Sequence, residues 1–243
     1  MANWSDPRTT AAPATTTVGR DVAFDAGLRS HMLSVYNYMA SGVLLTGIVA
    51  ALAASSGLAL QLFSGGNILG YVVIFAPLIM VFFLMARVGH MSTGGLQVFF
   101  WSFATVMGLS MSVIPLVYDG KSIATAFVGT SAAFVSLSLW GYTTKKDLSA
   151  FGTFLIMGVV GLIVAMIANM FMRSPALDLA ISAIGVLLFA GLTAYDTQKI
   201  KSVYFEVAGS DFLGKAAILG ALTLYLDFIN MFQFLLSLIG NRD

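Results

Sequence analysis

The chain has 243 residues, of which 58% are apolar and only 9% charged, against roughly 25% charged in a soluble domain. That leaves too little polar surface to face water on all sides. The net charge of +1 gives no field for steering nucleic acid, and the absence of cysteine excludes disulfides and thiolate metal centres.

Residues 1–20 are polar and rich in Thr, Ala and Pro. They have no apolar core of the kind a signal peptide needs, so they are expected to form a disordered cytoplasmic tail ahead of a transmembrane domain at 21–243. From Asp21 the pattern is amphipathic, with Val22, Leu28, Met32 and Val35 among Asp25, Arg29 and His31. This predicts an interfacial helix that leads into the first span.

Seven apolar stretches follow, at about 36–60, 68–86, 96–118, 122–141, 149–172, 178–197 and 216–239. Each is close to the roughly 20 residues needed to cross about 30 Å of hydrocarbon. The runs are continuous rather than alternating, which excludes a β-barrel. An all-α integral membrane protein with seven spans is expected, with short connections except for a longer loop from Gln198 to Lys215. Small residues at four-residue spacing (Gly42 with Thr46, Gly129 with Ala133, Gly161 with Ala165) read as helix-packing positions.

Orientation follows from the basic residues of the loops. Arg8, Arg20, Arg29, Arg87, Lys145, Lys146, Lys199, Lys201 and Lys215 fall on one side, and Lys121, Arg173 and Arg242 on the other. Nine against three puts the N-terminus in the cytoplasm.

Two carboxylates lie inside spans: Asp196 in LTAYDTQKI and Asp227 in LYLDFINMFQFLL. An ionised carboxylate at that depth costs several kcal/mol unless it is protonated, paired or hydrated. Thr223, Asp227, Asn230, Phe234 and Ser237 share one face of the seventh span, so Thr223, Asn230 and Ser237 are candidate pathway-lining residues. Asp196 has two readings: an interfacial residue pairing with Lys199 or Lys201, or a partner of Asp227 inside the bundle. In the second case the two carboxyls share a proton and titrate as a unit. Its loss leaves two negative charges that seek a cation or a nearby arginine, which outlines a pH-gated cation path. Arg87 is the candidate counter-ion, or else an ordinary anchor reaching the headgroups.

Catalytic equipment is missing, so no enzyme and no cofactor is expected. Two histidines and no cysteine give no zinc centre, and HExxH is absent. GLSMS at 108–112 has the look of a serine-nucleophile motif, but no later span carries a histidine base. The seventh span has no interior lysine for a retinal Schiff base. A tight calcium cage needs six to eight oxygens, so any contact of calcium with Asp196 and Asp227 should be weak and transient.

Three segments resemble the Bax inhibitor motif family of small membrane proteins, in its bacterial branch. They are SIATAFVGTSAAFVSLSLWGYTTKKDLS at 122–149, YDTQKI around Asp196 and LYLDFINMF around Asp227. The resemblance implies a seven-helix bundle with a central seventh helix in the bacterial inner membrane. It also implies a calcium leak governed by protonation of an aspartate pair, here Asp196 and Asp227, with Arg87 as the counterpart of a second-span arginine. The second span, ILGYVVIFAPLIMVFFLMA, lacks the acidic residue often found there in relatives. The rival expectation is an interaction protein that modulates an AAA+ membrane quality-control protease.

Overall fold

The computed structural model describes residues 15–65 and 67–241, with side chains from residue 25 onward. Arg8, Arg242 and residues 1–14 of the expected tail lie outside the described residues, as does the Arg20 side chain. The chain runs through α1 (Thr15–Ser55), α2 (Leu58–Phe63), α3 (Ile68–Arg87), α4 (Thr93–Met111), α5 (Ile114–Val117), α6 (Gly120–Thr143), α7 (Ser149–Met172), α8 (Pro175–Val207) and α9 (Leu213–Ile239). Seven of these helices are long and apolar enough to cross a membrane, and the protein is an all-α membrane bundle.

Local sequence sets where the spans begin. Helix termini leave backbone N–H groups without intrahelical acceptors, and short polar side chains satisfy them. Asn67 accepts from Leu69 N at 3.0 Å, Ser92 from Gly95 N at 3.0 Å, and Asp119 from Ser122 N at 2.6 Å. Ser174 caps α8, whose first residue is Pro175, a position where the missing proline N–H is harmless. Gly57, at φ 78°, separates α1 from α2, and Gly209, at φ 80°, lies in the turn from α8 to α9. Both turns need the left-handed backbone that glycine adopts without strain.

Three expectations about boundaries change. No separate interfacial helix precedes the first span: residues 21–35 continue one helix from Thr15, and Leu28, Met32 and Val35 are buried in the bundle. His31, read as part of a polar face, is also buried. The long loop at 198–215 is mostly helix, because α8 extends to Val207 and only residues 208–212 connect it to α9.

The bundle is built around α9, which packs against α1, α4, α6 and α8. Its buried residues include Ala216, Ala217, Gly220 and Ala221, small side chains that let neighbouring helices come close. The outer helices are α3, which lies on α4, and α7, which lies on α8. Gly42 receives the rings of Phe100 and Tyr225, and Gly129 meets Leu235. Gly161 faces open space instead, so its expected packing role does not hold.

Buried polar groups tie the helices together. The Thr46 hydroxyl on α1 donates to the Ala104 carbonyl of α4 at 2.9 Å and bonds the Tyr225 hydroxyl of α9 at 2.6 Å. Tyr36, Ser138 and Thr197 form a hydroxyl chain from α1 through α6 to α8, at 2.6 and 2.9 Å.

Candidate functional site: an intramembrane carboxyl pair

The site is assembled by α8 and α9, which pack along much of their length. Asp227 lies near the middle of α9 and is 4% exposed. Asp196 is half-buried on α8, eleven residues before the end of that helix. The two carboxyl groups lie close enough across the α8–α9 contact to act on each other electrostatically. From sequence the sixth span ends near residue 197; α8 instead runs on to Val207, so Asp196 lies well inside the helix that packs along α9.

A hydrogen bond between two carboxyls needs a proton on one of them, and two unshielded carboxylates at that range repel strongly. Asp227 Oδ2 has no hydrogen-bond partner among the described residues. This is the type of exception that points to a proton, water or ion at a working site. Lys199, one turn beyond Asp196, acts on it through its charge, and its amine lies 6.0 Å from the Tyr195 ring centre. Asp196 therefore lies under two influences, the charge of Lys199 and the carboxyl group of Asp227.

Arg87 is not brought to the pair. It is exposed at the end of α3 and has no hydrogen bond or ion pair among the described residues. The physical reason is the peripheral place of α3, which reaches the rest of the bundle mainly through α4. Among the described residues, no three carboxylate or histidine side chains gather in a metal-binding group.

The polar face of α9 divides in two. Asn230 and Ser237 line a cavity of about 760 Å³ between α7, α8 and α9, together with Asn169, Asp178, Ser182 and Gln233. Ser182 donates to Ser237 across the α8–α9 contact at 3.0 Å, and Asn230 donates to the Leu226 carbonyl at 2.8 Å. Thr223 does not line this space; its hydroxyl donates to the Leu219 carbonyl at 3.1 Å. The cavity reaches Leu226 and Asn230 but not Asp227. Phe189 and Phe234, stacked at 5.9 Å, form part of its wall.

The other end of the pair is braced by Gln198, a residue that sequence reasoning passed over. Its side chain accepts from Leu148 N at 2.9 Å and donates to the Lys146 carbonyl at 2.8 Å, fixing the α6–α7 turn onto α8. Lys201 donates to the Tyr142 carbonyl at 2.9 Å. The signal was available in YDTQKI, where one short motif holds both the Asp196 carboxylate and Gln198, which fixes its helix to the α6–α7 turn.

A sequence profile of the family described as "Inhibitor of apoptosis-promoting Bax1" matches residues 28–243. The chain belongs to the Bax inhibitor family. It is 44% identical over 219 residues to the inner membrane protein YbhL of Escherichia coli K12, covering 89% of this chain and 94% of YbhL. A protein of Caulobacter vibrioides is 45% identical over 236 residues, covering 92% and 93% of the two chains. Protein RP147 of Rickettsia prowazekii is 44% identical over 229 residues, covering 93% and 96%. The match includes all of the helices that build the carboxyl pair.

Proposed function

We propose that this Bax inhibitor family protein is a pH-sensitive calcium leak channel of the bacterial inner membrane, with its N-terminus in the cytoplasm. The observation that carries the reading is the placing of Asp196 and buried Asp227 on α8 and α9, the two most closely packed spans, near enough to act on each other. A shared proton neutralises half of the pair and lets α8 and α9 close over it. Removal of that proton leaves two charges that attract a divalent cation and repel each other, which favours separation of the helices.

In this reading the cavity between α7, α8 and α9, which stops at Leu226 and Asn230, opens to the pair when α8 and α9 separate. Its oxygen- and amide-bearing wall can replace part of the hydration shell of a cation without binding it tightly. Two carboxylates fall far short of a tight calcium cage, which suits an ion that must leave as well as enter. The absence of an acidic residue from α3 places the burden of cation attraction on this cavity, where Asp178 supplies a charge. No chemical step is assigned to the protein.

The test is calcium flux into dye-loaded proteoliposomes across roughly pH 5 to 8, wild type beside Asp227→Asn. Flux should rise with pH in the wild type, as the carboxyls ionise, and be pH-independent in the variant. Flux that stays pH-dependent in Asp227→Asn moves the gate elsewhere. No flux above empty vesicles, with folded protein, removes the leak channel. Interaction with an AAA+ membrane protease, read by co-purification from detergent, then becomes the working alternative.

A further inference from the structure

A second feature lies on the opposite side of α9. Helices α1 and α6 both pack on α9 and leave between them a cleft of about 650 Å³. Its walls are Met39 and Val43 from α1 and Phe134, Val135 and Leu139 from α6, with Phe228 at its base. The lining runs from Arg29 to Leu44 on α1 and from Tyr142 to Phe127 on α6. At 1.5 Å per residue, either stretch is about 22 Å long. One leaflet contributes about half of a 30 Å hydrocarbon core, so the cleft spans one leaflet and reaches its headgroup level.

The two ends of the cleft differ in chemistry. Leu33, Leu44, Val135 and Leu139 line it and are exposed, so it is open to hydrocarbon along its length. The hydroxyls of Tyr36 and Ser138 in its wall are bonded to each other, and Ser138 to Thr197, which leaves a largely apolar interior. At its mouth Arg29 is exposed and has no ion pair or hydrogen bond among the described residues. Lys201, which is not itself a lining residue, donates to the carbonyl of the lining residue Tyr142 at 2.9 Å and lies 5.0 Å from its ring centre, so its charge flanks the same mouth. No aspartate or glutamate is among the lining residues.

We propose that the α1–α6 cleft is a binding site for an anionic membrane phospholipid. One acyl chain lies between the two helices, and the headgroup phosphate meets Arg29 and Lys201. The length of the cleft, its apolar wall and the two cations at one end all match such a molecule. The guanidinium of Arg29 offers the forked donors that suit a phosphate. This assignment is independent of the carboxyl pair, because it is read by lipid binding and not by flux.

The test is native mass spectrometry of the full chain, delipidated in detergent and supplied with dioleoyl phosphatidylglycerol or dioleoyl phosphatidylcholine. The wild type should keep phosphatidylglycerol under conditions that strip phosphatidylcholine. Arg29→Gln should reduce that preference about fivefold, the effect of one basic residue at an anionic surface. Ala40→Trp and Val135→Trp fill the cleft from opposite walls at exposed positions and should release both lipids; monodisperse elution verifies that each is folded. Equal retention of the two lipids by the wild type overturns the proposal. So does unchanged phosphatidylglycerol binding in the folded tryptophan variants, since the arginine is then an ordinary surface charge.

Discussion

Replacing Gly141 by alanine should destabilise the bundle at the contact between α6 and α8. An added Cβ would lie 2.9 Å from both the Cα and the carbonyl carbon of Ala194, and closer still to its oxygen. Two carbon atoms prefer roughly 3.5–4.0 Å, so the helices would have to part by about 1 Å. The obstructing atoms are backbone and cannot rotate away. Overpacking of this kind costs about 1–3 kcal/mol; the midrange value corresponds to a Tm lower by roughly 4–8 °C for a chain of this size. Gly161→Ala is the matched control, since nothing lies within 4 Å of the added carbon. Its better helix propensity is worth up to about 1 kcal/mol, so its Tm should hold or rise. The assay is intrinsic-fluorescence melting in one detergent for all three proteins. A Gly141→Ala protein melting within 1 °C of wild type, or a Gly161→Ala loss of equal size, refutes the reasoning.

Four further outcomes are expected. Tyr225→Phe removes a buried hydroxyl but leaves Thr46 bonded to the Ala104 carbonyl, so melting should reveal a loss of only about 0.6 kcal/mol. Gln198→Leu cuts both hydrogen bonds that hold the α6–α7 turn, and trypsin should cleave after Lys145 and Lys146 several times faster. Arg87→Ala should leave both Tm and the pH profile of flux unchanged, because Arg87 has no partner among the described residues; a displaced profile would mean that Arg87 reaches the pair in another state. Bonds from the Ser149 side chain and backbone N–H hold the Asp147 carboxyl below its usual range. That small contribution is present above the unfolded-state value and is lost as pH falls through the lower folded one. In Ser149→Ala the carbon-detected NMR titration of Asp147 should move upward, and an unmoved curve would rule out the side-chain bond.

The seven spans were legible because a bilayer imposes a length and a composition that few other environments demand. Asp227 was legible for the same reason, as a carboxylate surrounded by apolar residues. Helix ends were harder to read. Hydropathy falls where the charges of Lys199, Lys201 and Glu206 begin, but α8 needs no lipid to continue and runs on to Val207. That difference made Asp196 read as a helix-end residue, although α8 continues for eleven residues beyond it. Arg87 was assigned from its place at the end of a span, whereas its exposure depends on which neighbours α3 has, and no single-chain pattern encodes that. The Tyr36–Ser138–Thr197 chain joins three helices separated widely in sequence, and isolated hydroxyls of this kind have no periodic signature.

The central position of α9 has a consequence for how the protein is made. The most buried of the seven spans is also the one that follows the other six in sequence. During synthesis those six enter the membrane while the helix that most of them pack against is still in the ribosome. The faces of α1, α4, α6 and α8 that α9 will cover must meanwhile contact lipid or one another, and Asp196 has no Asp227 beside it. Final packing therefore waits on insertion of α9. A nascent chain stalled before Leu213 would present an intramembrane carboxyl group and unpaired small-residue surfaces, features by which a membrane surveillance system can recognise an unfinished bundle.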